Sequence, residues 1–513
     1  MYALHTDIVL YICEKLPDHD KIAFSVTSTQ FDALKFKMTY DSLVRLKRIR
    51  YLPYYDRFSN VIVFDVQRRP TSDSVSATFF SLFDGLSSDT DGHISAQIKN
   101  LMPRSITHLT FGGHFNQSLD GCVPDTVMHL SFGKEFNQPV KGHIPKSVTH
   151  LRFGDAFDQP INDSIPNSVV HLLFGDSFNR PIDGCIPDSV EKLIFGNRFN
   201  QQVKNCIPTS VTHLRFGRFF SQPLKDCIPD SVIDLDYNGS NWATVPDTIP
   251  KNAKCLILDG EFNRSVRNQI PESVTYLEFG DTFNQPIVNS VPKSVTHLRF
   301  RWNFNQSIEG CIPNSVTHLK FGNNFQQSIK GNIPSSVTHL RFFRSFNEPE
   351  KDHIPPSVTH LAYGMNYKLR RNNIPNSVTY LNMEALNQPV DGCISDSVRR
   401  IVFGGNFDQS IENSLPYVTH LVFRSIHQEQ MRRPLPPSVT HLTFLRDSGQ
   451  HIEFISNSVQ HVTFGPYYFG KIFSLPTCVK SISLHEKYNL RISDNIRSQV
   501  EIIRYSEYDE YIF

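Results

Sequence analysis

Proline recurs at a fixed spacing of 21 residues through the middle of this chain. Thirteen prolines keep that spacing without a gap: Pro103, Pro124, Pro145, Pro166, Pro187, Pro208, Pro229, Pro250, Pro271, Pro292, Pro313, Pro334 and Pro355. The grid continues in steps of 20 or 21 residues through Pro375, Ser395, Pro416, Pro436, Ser456, Pro476 and Arg497, which makes twenty repeats. A repeat of such an array contacts mainly its neighbours, so the several globular domains that 513 residues would otherwise suggest are not expected. We predict one long repeat body with a small N-terminal module.

Each repeat contains one short strand and a return segment. In the stretch VTHLRF, Val148–Phe153, the apolar residues have the LxxLxL spacing typical of a leucine-rich-repeat strand. Alternation along the strand places Leu151 and Phe153 inward and His150 and Arg152 outward. The return segment at 158–168 carries Pro, Asn and Ser too closely for a helix longer than one turn. The predicted fold is a leucine-rich-repeat-like solenoid with parallel strands on one face and extended or turn-like returns, and a parallel β-helix is the alternative.

Composition limits the classes of partner and the cellular location. Lys and Arg total 51 against 50 Asp and Glu, so no global field recruits nucleic acid or an anionic membrane. No apolar stretch reaches the length of a membrane helix, and Met1–Asp7 lacks the features of a secretory signal. Nine cysteines, an odd number, favour a reducing compartment. We expect an intracellular, cytoplasmic protein, in the host cytoplasm if the chain is viral.

Histidine forms the most regular outward column of the array. A metal site is one interpretation, but zinc needs three or four convergent ligands and no Cys, Asp or Glu regularly accompanies the column. We favour a structural role in which neutral rings stack, and we predict that protonation loosens the stack below about pH 6 through repulsion between like charges. The column comprises His108, His129, His150, His171, His213, His297, His318, His339, His360, His420, His441 and His461.

Two further columns are interpreted as structural. An asparagine follows phenylalanine where the chain leaves the strand, and its amide is expected to bond to backbone groups of its own and adjacent turns. A cysteine precedes the Ile or Val of the Ile-Pro pair and is expected to pack as a small apolar residue. The asparagine column comprises Asn116, Asn137, Asn179, Asn200, Asn263, Asn284, Asn305 and Asn347, and the cysteine column Cys122, Cys185, Cys206, Cys227, Cys311 and Cys393.

Target binding is better sought where outward positions stop repeating. One such stretch is acidic and aromatic and could receive a basic or apolar segment, since aromatic anchors often dominate interface energy. A second aligns three cations on consecutive repeats, suited to a phosphate or an acidic peptide. Drift in a tolerant array and a solvated charged face are the alternative interpretations. The candidates are Asp234, Asp236, Tyr237, Trp242 and Tyr276 in the first stretch, and Arg299, Lys320 and Arg341 in the second.

Residues 1–48 have a different pattern, with apolar residues at helical spacing. The segment LHTDIVLYICEKLPDHDKIAFSVTSTQFDAL, Leu4–Leu34, resembles an F-box, with His5 where that motif usually has proline. The repeats resemble FNIP repeats, as in FNQPVKGHIPKSVTHL, Phe136–Leu151. We therefore expect an F-box-like helical module at 1–48, a linker and cap at 49–100, the repeat solenoid at 101–489, and a degenerate last repeat with a cap at 490–513.

The two resemblances together imply a function. F-box proteins dock a Skp-type adaptor of cullin-RING ubiquitin ligases and present a target through a second domain, and the combination is similar to a family of amoebae and large DNA viruses. Carried over by position, the adaptor surface would comprise Leu4, Ile8, Val9, Ile12, Leu16, Phe24, Val26 and Phe31.

We therefore expect a non-enzymatic adaptor with an unknown protein target and no cofactor or metal. No phosphate-binding glycine loop, HExxH motif or nucleophile with a defined base stands in the repeats. The alternatives are a structural or protein-interaction solenoid with no ubiquitin role and, less favoured, a β-helix enzyme acting on polysaccharide.

Overall fold

The structure is a computed structural model that describes residues 44–45, 60–63, 105–239, 249–343, 346, 353–364, 368–384, 386–424, 435–446, 455–468, 470, 472, 475–485, 488 and 492–505. The chain divides into two compact units, here called the first array (Met1–Ala253) and the second array (Lys254–Phe513). In both arrays each described repeat contributes one strand, followed by turns. This is a parallel solenoid of the leucine-rich-repeat type, as the sequence predicts.

The first array contains nine described strands, each paired in parallel with the next. Identical positions of successive repeats face each other, as where His129 pairs with His150 and Leu130 with Leu151. The strands are β1 (Val44–Arg45), β2 (Asn60–Val63), β3 (His108–Phe111), β4 (His129–Ser131), β5 (His150–Arg152), β6 (His171–Leu173), β7 (Lys192–Ile194), β8 (His213–Phe216) and β9 (Asp234–Tyr237).

The second array repeats this arrangement and ends in a short helix and a last strand. Its described elements are β10 (Cys255–Leu258), β11 (Tyr276–Phe279), β12 (His297–Phe300), β13 (His318–Lys320), β14 (His339–Arg341), β15 (His360–Ala362), β16 (Tyr380–Met383), β17 (Arg400–Phe403), β18 (His420–Phe423), β19 (His441–Arg446), β20 (His461–Tyr467), β21 (Ser481–His485), α1 (Asp494–Gln499) and β22 (Glu501–Tyr505). β22 pairs in parallel with β21, so the degenerate last repeat at Arg497 still supplies a strand.

The core consists of columns of identical apolar side chains. In one repeat Val148, Leu151, Phe153, Phe157 and Ile161 are all buried. The two phenylalanine rings lie 4.0 Å apart between centroids, and each stacks on its equivalent in the next repeat at 5.5 and 6.1 Å. A single repeat exposes both sides of these rings, and stacking covers them. Burial of such columns is the main stabilising contribution to each array.

The asparagine column confirms the interpretation drawn from the sequence. The Oδ1 atom of Asn137 accepts a hydrogen bond from the backbone N–H of Asp158 at 2.9 Å and from Nε2 of Gln159 at 3.0 Å. The same pair of bonds recurs from Asn179 to the next repeat. These side chains join each turn to the turn above it, and so satisfy donors that the return segment leaves unpaired.

A column of glycines lets the backbone of one repeat approach the next. A Cβ atom added at Gly154 would lie 1.7 Å from the carbonyl oxygen of Gly133, and one added at Gly133 would lie 2.0 Å from that of Gly112. Any side chain here would force successive turns apart. The column comprises Gly112, Gly133, Gly154, Gly175, Gly196 and Gly217 in the first array.

The N-terminal boundary expected from the sequence needs one correction. Val44–Arg45, assigned above to the helical module, form β1 and pair with Val61 and Ile62 of β2. Parallel pairing onto an existing stack satisfies this backbone, so tertiary context overrides the local helical spacing. Within the linker and cap expected at 49–100, Asn60–Val63 forms the strand β2. Residues 1–43, which carry the F-box resemblance, lie outside the described residues. No helix among the described residues is long and apolar enough to cross a membrane.

Candidate interaction surface

The outward side chains of the strands form a continuous surface within each array, here called the strand face. Three positions of each repeat contribute to it. The histidine column takes the first strand residue, the middle column takes the residue two further on, and the strand-end column takes the position of Gly154 and its equivalents. His150, Arg152 and Gly154 illustrate the three in one repeat.

The histidine rings stack flat on one another over most of the column. Centroids of His108 and His129 lie 4.0 Å apart with an interplanar angle of 7°, and those of His318 and His339 lie 4.1 Å apart at 15°. The pair His150 and His171 is the exception, with an edge contact at 70°. Rings in this arrangement hold their nitrogen atoms side by side.

A threonine fixes the tautomer of these histidines. The hydroxyl of Thr296 donates to the carbonyl oxygen of Thr275 at 3.2 Å and lies 2.9 Å from Nδ1 of His297. Because the hydroxyl has only one proton, Nδ1 is the donor in the second bond and Nε2 remains an acceptor. The same pair of contacts recurs at Thr317 and His318.

The stacked rings are held neutral. Burial, followed by repulsion from neighbouring histidines, lowers the pKa of His129, His318, His339 and His420 to about 4. Burial also lowers the pKa of His150, His297 and His441. Parallel rings do not converge on one point, and no group of three or more His, Cys, Asp or Glu in the described part of the chain could hold a metal ion.

The cysteine column packs in the turns rather than on the strand face. Cys122, Cys185, Cys206, Cys227 and Cys311 are buried, whereas Cys393 is half-buried. Burial raises the pKa of Cys206 to about 11, helped by its hydrogen bond to Asp183. A thiol protonated at neutral pH is a poor nucleophile and a poor metal ligand.

The structure separates the acidic and aromatic candidates. Asp236 forms an ion pair with Arg215 at 3.2 Å on the strand face of the first array, and Asp234 stands beside it in the histidine column. Tyr237 instead occupies the phenylalanine column at 2% exposure, where burial raises its pKa, so it is a core residue and not available to a partner. Trp242 lies outside the described residues, and Tyr276 belongs to the second array.

The strand face of the second array contains a buried carboxylate. Glu278, in the middle column, is only 2% exposed and accepts a hydrogen bond from the hydroxyl of Tyr276. Arg299 lies 3.3 Å from it, and Arg301 pairs with both Glu278 and Asp259. Burial would raise the pKa of Glu278, but the tyrosine bond and the two guanidinium groups outweigh it and hold the pKa below its ordinary value.

Lys320 and Arg341 continue the middle column above this cluster. Register pairs Arg299 with Lys320 and Lys320 with Arg341. Nζ of Lys320 and Cζ of Arg341 each lie 5.0 Å from the centroid of the Phe343 ring. Arg341 also approaches Glu384 at 3.5 Å, and Glu384 pairs with Arg424 at 2.6 Å. The three predicted cations are therefore adjacent, but Arg299 and Arg341 already have carboxylate partners.

The strand-end column of the second array alternates between glycine and larger residues. It runs Asp259, Gly280, Arg301, Gly322, Phe343, Gly364, Glu384, Gly404 and Arg424. A Cβ atom added at Gly280 would lie 2.4 Å from Oδ1 of Asp259. The glycines therefore leave room for side chains two repeats apart to meet, as Asp259 does with Arg301 and Glu384 with Arg424.

The middle column becomes uncharged and buried further along. Ala362, Asn382, Val402 and Val422 are at most 3% exposed. Val402 and Val422 form an apolar cluster with Leu445, against which Tyr380 packs. The outward middle-column positions of these repeats are thus covered. Among the described residues of the second array, the charged residues of the middle column lie on β11–β14.

Comparison with known proteins places the repeats in a family. A sequence model described as FNIP Repeat matches residues 97–135, 136–177, 178–219, 199–237, 241–282, 262–302, 283–324, 304–345, 325–362, 346–384 and 387–425, which together exceed half of the chain. The chain belongs to the FNIP repeat family. No curated protein matches it.

Solved structures similar to this FNIP repeat chain include CroV588, described as a novel circular LRR protein structure. That likeness has 28% identity, covers 91% of this chain and 77% of that one, and has a TM-score of 0.52. YopM from Yersinia enterocolitica WA-314 is similar at 12% identity over 81% of this chain and 87% of that one, with a TM-score of 0.33.

Several residues of the FNIP repeat surface were missed from sequence. Asp259, Glu278, Arg301 and Glu384 build the ion pairs of the second array. The signal for Asp259, Arg301 and Glu384 was the break in the strand-end glycines, whereas Glu278 lies in the middle column next to the predicted Arg299. Phe343, which covers Lys320, breaks the same column. The eight adaptor-binding residues expected between Leu4 and Phe31 lie outside the described residues.

Proposed function

We propose that this FNIP repeat protein is a recognition scaffold whose strand face binds a protein target. The observation that carries the proposal is that different columns of the repeat form the core and the surface. Apolar columns fill the core, whereas the middle column varies from repeat to repeat in both arrays and the strand-end column varies in the second array. A surface assembled from independent, variable positions on a rigid stack suits protein recognition.

The more specific role is that of a substrate-recruiting adaptor for a cullin-RING ubiquitin ligase in the cytoplasm. The F-box resemblance of Leu4–Leu34 supports this part of the proposal. In that role the N-terminal module docks a Skp-type protein, and the arrays hold the target. A scaffold with no ubiquitin role is the competing function, supported by the repeats alone.

Capture of a purified Skp-type protein by the full chain separates the two functions. We expect wild type to bind and Ile12→Asp to abolish binding, because a carboxylate would replace an apolar contact. His5→Pro, which restores the usual residue of the motif, should strengthen binding. Lys21→Asp, a charge change at a polar position of the same segment, is the matched control and should bind like wild type.

Failure of wild type to capture the Skp-type protein would remove the adaptor role and leave the scaffold. The target is sought separately by proximity labelling in cells, with the full chain and with Ile12→Asp. Proteins labelled by both variants are candidates for the strand face. Ubiquitin-ligase components labelled by wild type alone would support the adaptor role.

A further inference from the structure

Two of the three cations in the middle column of the second array have carboxylate partners. Glu278 contacts Arg299 and also Arg301 of the same repeat, and Glu384 contacts Arg341 and Arg424. Lys320 lies in register between Arg299 and Arg341, yet no described carboxylate lies within ion-pair distance of its amine. Lys320 is therefore the middle-column cation that has no carboxylate partner among the described residues.

The surroundings of Lys320 favour a ligand of its own. Its amine lies against the face of Phe343, which shields it from water on one side. Gly322, next to it in the strand-end column, adds no side chain, whereas Arg301 occupies that position one repeat earlier. Burial lowers the pKa of Lys320 to about 7, with Arg341 and then Arg299 adding to the effect. An ammonium group held among cations is strongly stabilised by one added negative charge.

We propose that Lys320 is the anchor for a carboxylate side chain, Asp or Glu, of an extended acidic segment of a partner protein. The bound carboxylate would complete the pattern that Glu278 and Glu384 form within the chain. A monoanion matches the single unpaired amine. A nucleic acid would instead need a row of free cations for its repeated phosphates, and Arg299 and Arg341 already hold carboxylates.

This inference deepens the recognition role proposed above and does not depend on the F-box. It assigns the class of target for one part of the strand face. Loss of Skp capture would leave it intact, whereas loss of acidic-peptide binding would remove it and leave adaptor docking untouched.

The test uses the full chain and a fluorescein-labelled hexaglutamate peptide, with anisotropy measured at low salt and pH 6.5. Lys320→Met keeps the length of the side chain and removes its charge. Lys330→Met is the matched control, because Lys330 is exposed on the return segment that follows β13. We expect Lys320→Met to raise the Kd about tenfold or more, Lys330→Met to change it less than about twofold, and hexaglutamine not to bind.

A pH series gives a second readout. The groups around the amine are Arg299, Arg301, Arg341 and Glu278, together with the neutral rings of His318 and His339. Because the amine must be protonated to bind, affinity of wild type should fall as the pH rises from 6.5 to 8.5. The weak residual binding of Lys320→Met should not.

Chemical labelling of the wild-type chain tests the same proposal without a substitution, in case Lys320→Met folds poorly. Acetylation of Lys320 by acetic anhydride, followed by mass spectrometry between pH 6 and 9, should slow when hexaglutamate is added, and labelling of Lys330 should not. Equal Kd values for wild type and Lys320→Met, or no protection of Lys320, would overturn the proposal. Displacement of hexaglutamate by hexauridylate at lower concentration than by unlabelled hexaglutamate would overturn the assignment to a protein segment.

Discussion

Two adjacent phenylalanines in the first array allow a stringent test of how the array is stabilised. Phe219 is 55% exposed, whereas Phe220 is fully buried. The two residues have the same chemistry and consecutive positions in one turn. Replacing each by alanine therefore changes the same atoms in opposite environments.

The expected cost follows from the contacts of Phe220. Its ring lies 4.2 Å from that of Phe216 and 6.0 Å from that of Phe199, and Tyr237 packs edge-on at 6.1 Å. Removal of such a ring from a packed core costs about 3 to 5 kcal/mol. Phe219 has one ring contact with a charged group, Arg218 at 5.9 Å, and its removal should cost no more than about 0.5 kcal/mol.

Amide hydrogen exchange measures both effects in place, because neighbour-coupled repeats open locally. Phe220→Ala should accelerate exchange in β8 and β9 by about two to three and a half orders of magnitude, at about 1.4 kcal/mol for each factor of ten. Phe219→Ala should leave these rates nearly unchanged, and β4 and β5 should be little affected by either variant. Equal acceleration by the two substitutions would refute the column-stacking account.

Three further outcomes are expected. Lowering the pH from 7 to 4 should reduce the midpoint of urea unfolding. The histidines have a pKa of about 4 in the folded chain and the ordinary value of 6.5 in the unfolded chain, so unfolding takes up protons in this pH range and is favoured there. Above pH 7 the effect should be absent, and a midpoint that does not change between pH 7 and 4 contradicts this. Asn137→Ala should cost about 1 to 2 kcal/mol in urea unfolding, because two donors lose their acceptor, whereas the Gln variant should recover part of the loss. Gly154→Ala should destabilise by about 3 kcal/mol or more through overpacking against the carbonyl of Gly133, whereas Gly113→Ala, with nothing within 4 Å, should be nearly neutral in the same thermal melts.

Most of the fold could be predicted because the same pattern of apolar, polar and turn residues recurs in every repeat. One strand per repeat, inward Leu151 and Phe153, outward His150 and turn-bridging asparagines all follow from alternation and turn chemistry within 21 residues. The prediction failed at Val44–Arg45, where the apolar spacing was read as helical and pairing with β2 decided the outcome. Local pattern carries no information about a partner strand that lies outside the repeat.

The surface was harder to predict because it depends on relations between repeats. Tyr237 was placed on the surface, although it aligns with Phe216 and takes its place in the core. Arg299 and Arg341 were predicted as open cations, but their carboxylates come from Glu278 in the previous repeat and Glu384 two repeats onward. Reading one column at a time misses contacts that cross both columns and repeats.

The alternating strand-end column sets the smallest exchangeable module of the second array. In the first array glycine stands at this position in successive repeats, so one repeat could be removed and the junction would still match. Between Asp259 and Arg424, removal of one repeat would bring two large side chains onto neighbouring strands, or two glycines. Deletions, insertions and grafts there should therefore succeed when two repeats are changed together. Between residues 259 and 343 the unit for engineering new specificities is 42 residues rather than 21.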